Sequence, residues 1–107
     1  MKKLILCVIC VLVAGFVYSQ EVTVLQINAE WNKKNNYDLS DITGATVKFS
    51  YLKDQPKEVQ NKIMAVPVIV IMDESGRVRM QYIADISLQI KATHLEIQNE
   101  INRIKKL

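Results

Sequence analysis

Val66-Pro67-Val68-Ile69-Val70-Ile71-Met72 is apolar throughout, and the residues that follow it, Asp73-Glu74-Ser75-Gly76, are turn formers ending in glycine. Val78, Met80 and Tyr82 then alternate with polar neighbours. A continuous apolar run, a short glycine-bearing loop and a period-2 return describe a β-hairpin, so the chain has to build a sheet around it. The alternation persists through Ala84, Ile86, Leu88 and Ile90. The returning strand therefore either continues that far or breaks near Asp85 and resumes.

The rest of the chain supplies partners for the hairpin. Val22 to Asn28, rich in β-branched residues, reads as a buried strand. After Trp31 to Asn35, the residues Tyr37, Leu39 and Ile42 give apolar points to a short polar helix stopping near Gly44. Ala45 to Leu52 reads as a second strand. Asp54-Gln55-Pro56 opens a helix with Val59, Ile63 and Met64 on its inner face, because proline is tolerated in a first turn. Thr93-His94-Leu95-Glu96 fits a capping box, and Leu95, Ile97, Ile101 and Ile104 give the last helix one apolar side down to Arg103, Lys105 and Lys106. The order β-α-β-α-β-β-α predicts an α/β domain with a single mixed sheet flanked by helices.

The N-terminus stands apart from this pattern. Lys2 and Lys3 precede a nearly unbroken apolar run from Leu4 to Val17, and Val17-Tyr18-Ser19 places small residues where a signal peptidase inspects the chain. Residues 1–19 are therefore expected to be a signal peptide, and residues 20–107 the domain. The run is shorter than the ~20 residues that comfortably span a bilayer, which favours cleavage over anchoring. Cys7 and Cys10 imitate a redox spacing, but both lie in this apolar run, away from the exposed, electropositive setting a reactive thiolate needs. The remaining 88 residues, Gln20 to Leu107, hold no cysteine, so stability has to come from a packed core. Without Lys2 and Lys3 the 14 basic residues become 12 against 11 acidic, a charge near +1. No concentrated basic surface is left for a phosphate backbone, and nucleic acid is not expected as a partner.

Ala29-Glu30-Trp31-Asn32-Lys33-Lys34-Asn35, at a strand-to-helix junction, resembles the active-site segment of the thioredoxin-like superfamily, with asparagine at both cysteine positions. Further pieces fall in register with that family: Lys53-Asp54-Gln55-Pro56 before a helix, Val66-Pro67 at a strand start, and Glu74-Ser75-Gly76-Arg77-Val78 at the hairpin. The resemblance covers essentially the whole exported domain. It implies a thioredoxin-like fold with a trimmed first helix, since the stretch from Trp31 to Pro67 is shorter than usual. It also implies a cis peptide at Val66-Pro67, beside the active-site turn, which an X-Pro bond accepts at a cost of about 0.5–1 kcal/mol. The ordinary alternative is a trans proline opening a strand.

The same comparison removes the family's reaction. Thiol–disulfide exchange needs an attacking thiolate, a resolving thiol and a proton acceptor. Asn32 and Asn35 stand at the thiol positions, and Gln26 stands where many members bury an aspartate. Carboxamides neither attack nor titrate near neutral pH, so no catalytic residue is expected. Two readings of the asparagines stay open: Asn32 caps a helix and Asn35 is solvated, or both line a groove with Trp31. Lys33 and Lys34 add positive charge at the tip of the turn. Trp31 itself could be packing at a strand end. His94, the only histidine, has no cysteine or carboxylate cluster beside it in the sequence, so no metal and no cofactor are expected.

The expectation is thus a periplasmic or secreted, redox-inactive thioredoxin-like protein. It would bind a protein or peptide through Trp31, Asn32, Lys33, Lys34, Asn35, Val66 and Pro67, with main-chain hydrogen bonds at Val66 holding an extended segment. It would touch membrane only through an uncleaved signal segment. The alternative is a structural or assembly subunit that uses the fold as a scaffold.

Overall fold

The computed structural model describes residues 21–106, so residues 1–19, expected to be a signal peptide, lie outside the described residues. Strand β1 (Thr23–Asn28) is flanked by β2 (Thr46–Tyr51) and β3 (Val68–Met72), and β4 (Val78–Ile83) completes a mixed sheet of order β2-β1-β3-β4. β1 and β2 run parallel, whereas β3 is antiparallel to both β1 and β4. β1 and β3 are buried along their whole length, in keeping with the continuous apolar run of β3 and the β-branched content of β1; the edge strands β2 and β4 are only partly covered.

Because side chains alternate along each inner strand, the sheet feeds two cores. Val24, Ile69 and Ile71 pack with Leu39, Ile97, Ile101 and Ile104 on one face, while Leu25, Ile27, Val68, Val70 and Met72 form the other. Helix α2 (His94–Lys105) covers the first face with Ile97, Ile101 and Ile104. Its capping box is made: the Glu96 N–H donates to Thr93 Oγ1 (3.1 Å) and the Thr93 N–H to Glu96 Oε1 (3.4 Å). Leu95, expected on the apolar side, is 68% exposed instead, two positions from Ile97 and so on the opposite side of the helix.

Two helical expectations need correcting. No helix forms over Tyr37 to Gly44: Glu30–Asn35 is a 3-10 turn, and residues 36–45 are irregular. Side chains take the backbone groups a helix would use. Gln26 donates from Nε2 to the Tyr37 carbonyl (2.9 Å) and accepts from the Tyr37 N–H (2.7 Å), Asp38 Oδ1 accepts from the Ser40 N–H (2.9 Å), and Gln98 Oε1 accepts from the Thr43 N–H (2.9 Å). Leu39 is buried and Tyr37 and Ile42 pack against the same core, so the apolar spacing served packing without a helix. Helix α1 (Lys57–Lys62) buries Val59 but stops with Ile63 already extended, leaving Met64 96% exposed rather than on an inner face.

At the hairpin, Asp73 organises the turn. Its Oδ1 accepts from the Ser75 N–H (2.9 Å), Ser75 Oγ (2.6 Å) and the Arg77 N–H (3.0 Å), and its Oδ2 from Arg79 Nε (2.8 Å). Gly76 holds φ +84°, the left-handed region that favours glycine. Desolvation would raise the Asp73 pKa, but the hydrogen bonds from Ser75, Arg77 and Arg79 together outweigh it and bring it from 3.8 to about 2. A carboxyl lowered on folding stabilises the native state above its unfolded pKa, and that contribution disappears as pH falls toward the folded value. Asp73→Asn should therefore cost roughly 1–2 kcal/mol at neutral pH, solvent screening included, and much less near pH 2. Urea titrations of both proteins at the two pH values check this; an equal deficit at both would remove the ionised carboxylate from the explanation.

β4 ends at Ile83, so the alternation beyond it does not continue the strand. Asp85 Oδ1 accepts from the Ser87 N–H (2.8 Å), and the Leu88 N–H reaches back to the Asp85 carbonyl (2.9 Å) with Leu88 at φ +63°. This loop carries Leu88 to the far end of β1.

Candidate functional site

The segment after β1 is organised by carboxamides. Asn28, fully buried at the end of the strand, accepts from the Ala29 N–H (2.8 Å) through Oδ1, while its Nδ2 donates to the Asn32 carbonyl (3.1 Å) and to Asn36 Oδ1 (2.5 Å). These bonds fold the chain back tightly, and Asn32 takes a non-helical conformation (φ −113°, ψ 15°) within the 3-10 turn. Asn32 is consequently turned inward and is 2% exposed.

From there Asn32 Nδ2 faces Val66 O (3.2 Å), Leu88 O (3.2 Å) and Asn28 Oδ1 (3.3 Å). Backbone carbonyls only accept, so the atom facing them is the donor nitrogen. Its Oδ1 accepts from Asn35 Nδ2 (2.7 Å), and Asn35 Oδ1 accepts from Gln89 Nε2 (3.3 Å). One side chain thus joins three stretches of chain: the turn after β1, the segment before β3 and the loop after β4. The Val66–Pro67 peptide is cis.

Asn32 is therefore not a helix cap; Ala29 occupies the N-cap position, with no side-chain cap bond. Asn35 is half-buried and hydrogen-bonded rather than solvated. Val66, at 5% exposure, and Pro67 are buried as well, and the Val66 carbonyl already accepts from Asn32. Trp31, in contrast to packing at a strand end, is 70% exposed, and Lys33 and Lys34 are exposed beside it. Met64 and Ile86, each two residues from a carbonyl that Asn32 holds, are fully exposed. The expected site thus divides into a buried amide framework, Asn32, Val66 and Pro67, and an exposed rim, Trp31, Lys33 and Lys34.

Glu30 pairs with Lys53, which lowers the Glu30 carboxyl and raises the Lys53 ammonium pKa on an open surface. Gln26 is buried but spends its amide on Tyr37, 11 residues away. The hydrogen-bond partners of the Asn32 side chain are amides and carbonyls, none of which titrates near neutral pH. No family model and no curated protein matches the chain.

Among the described residues, no group of three or more His, Cys, Asp and Glu side chains is placed to hold a metal ion. His94 Nδ1 lies 3.2 Å from Asp41 Oδ2, and its ring meets Tyr37 edge-on at 5.1 Å. A cleft of about 520 Å³ runs along β2, lined by Leu25, Phe49 and Tyr51 with Lys48, Asp54 and Gln55, and does not include Asn32.

Sequence reasoning missed Asn28 and the Leu88 loop. Asn28 left a signal, an amide closing a buried strand four positions before Asn32. Leu88 left none, because it fitted the alternation of the preceding strand.

Proposed function

We propose that the chain is an exported, redox-inactive thioredoxin-like protein that binds a protein or peptide partner through the exposed rim around Trp31. Support for the fold comes from the sheet order β2-β1-β3-β4, with β1 and β2 parallel and the hairpin antiparallel. The cis Val66–Pro67 peptide beside the turn after β1 agrees with it. The observation that carries the reading is the 3.2 Å bond from Asn32 Nδ2 to the Val66 carbonyl, which joins the turn and the proline segment where the family places its reactive thiol and its partner-binding strand.

The amide bonds also change how a partner would be held. With the Val66 carbonyl spent on Asn32, recognition falls to apolar contact with Trp31, Met64 and Ile86, and Lys33 and Lys34 favour a partner with acidic residues next to its apolar ones. Large exposed aromatic and sulfur-bearing side chains suit such a role, since they supply much contact area at little cost in conformational freedom. Export rests on the apolar run from Leu4 to Val17.

Affinity capture from the exported fraction tests this directly. A partner held by the wild type should be lost with Trp31→Ala/Met64→Ser, at unchanged far-UV circular dichroism, and insulin reduction should stay at background throughout. Capture of the same proteins by both, or turnover of insulin, would sink the reading.

A further inference from the structure

The two edges of the sheet are protected unequally. β4 carries an irregular register opposite Ile71 and Met72, with Arg79 between the paired residues, and bulges and charges of this kind discourage pairing with another chain. β2 runs in unbroken register with β1 from Thr46 to Tyr51 and, among the described residues, has no strand on its other side. Val47 and Phe49 on it are 43% and 45% exposed, and Phe49 meets Tyr51 edge-on with ring centres 5.0 Å apart.

The ladder decides which backbone groups face outward. The Thr46 N–H donates to the Val22 carbonyl (2.9 Å), and in a parallel pair the residues bonding the neighbour alternate along the strand. Thr46, Lys48 and Ser50 therefore turn to β1, whereas Val47, Phe49 and Tyr51 direct N–H and C=O to the open edge.

We infer that β2 pairs antiparallel with β2 of a second copy of this chain, about a two-fold axis at Phe49. A two-fold axis produces self-complementary contacts, and this register makes them favourable throughout. Phe49 meets its own symmetry mate, Val47 meets Tyr51, and Lys48 lies opposite Ser50. The outward backbone groups of all these aromatic and apolar residues then bond each other, and their half-exposed side chains become cross-strand pairs. Centring the axis on Lys48 would set two ammonium groups against each other and pair Tyr51 with Ala45, outside the strand. Centring it on Tyr51 would run into the 3-10 turn Leu52–Asp54. Only the Phe49 register pairs all three outward-facing residues, Val47, Phe49 and Tyr51, within the strand. The contact is smaller than a standard interface, so the dimer is concentration-dependent.

Sedimentation equilibrium on the purified protein over roughly 1–500 µM should show monomers and dimers in exchange. Phe49→Lys and Phe49→Glu place like charges on the axis and should each weaken association by ~10-fold or more. Mixing those two variants should restore a dimer containing one of each, which also demonstrates that both are folded. Gln81→Lys, on β4, should leave association unchanged. A wild type that stays monomeric over the whole range, a mixture that fails to pair, or loss of the dimer in Gln81→Lys would each overturn the assignment, the first leaving the edge to some other chain.

Discussion

Asn32→Asp should remove a large share of the stability of the domain at neutral pH, although it changes a single group of the same size. The amide nitrogen it replaces faces two backbone carbonyls and the Asn28 oxygen at 3.2–3.3 Å. An ionised carboxylate offers those atoms only repulsion, in a position that is 2% exposed. Stranding buried acceptors around a buried charge costs about 3 kcal/mol or more, against a total of roughly 5–10 kcal/mol for a domain of this size. The sign of the pH dependence follows. Burial among acceptors raises the carboxyl pKa above its unfolded value of about 3.9, so the folded state gains protons and stability returns as pH falls. Urea titrations at about pH 7 and pH 4 measure the effect, with the larger deficit expected at pH 7. An equally stable variant at both would show that Val66 and Leu88 do not depend on the Asn32 donor.

The second large effect is expected at Ile101. It is fully buried against Val24, Ile69 and Ile71 in the core that α2 closes, and α2 is the longest helix among the described residues. Ile101→Ala removes buried carbon and leaves a cavity, costing about 3 kcal/mol and lowering the melting temperature by roughly 15 °C. Leu95→Ala on the same helix should change stability by less than about 0.5 kcal/mol, because Leu95 is exposed. Calorimetry of both variants separates the two positions. Similar melting temperatures would mean that α2 packs by a different face.

These cases mark how far the sequence could be read. Strands with buried faces were legible because alternation and β-branching report burial directly, and the hairpin from Val66 to Tyr82 held its place. The Thr93–Glu96 cap was legible because its chemistry is local. The stretch from Tyr37 to Gly44 was not, since its apolar spacing suits a helix while Gln26 and Gln98, far away in the chain, claim its backbone. At the candidate site, the residue types and their meeting with Val66–Pro67 were legible, but their burial was not. Asn32 looked like a cap from its neighbours alone; its inward turn follows from Asn28 and from carbonyls 34 and 56 residues further along.

The amide chain from Asn28 through Asn32 and Asn35 to Gln89 contains no atom that gains or loses an electron or a proton under physiological conditions. Where a dithiol would alter its shape with the oxidant around it, and a histidine or carboxylate with acidity, this corner of the molecule keeps one shape in either surrounding. The backbone on which Trp31 stands is therefore held alike under oxidising or reducing, neutral or mildly acidic conditions.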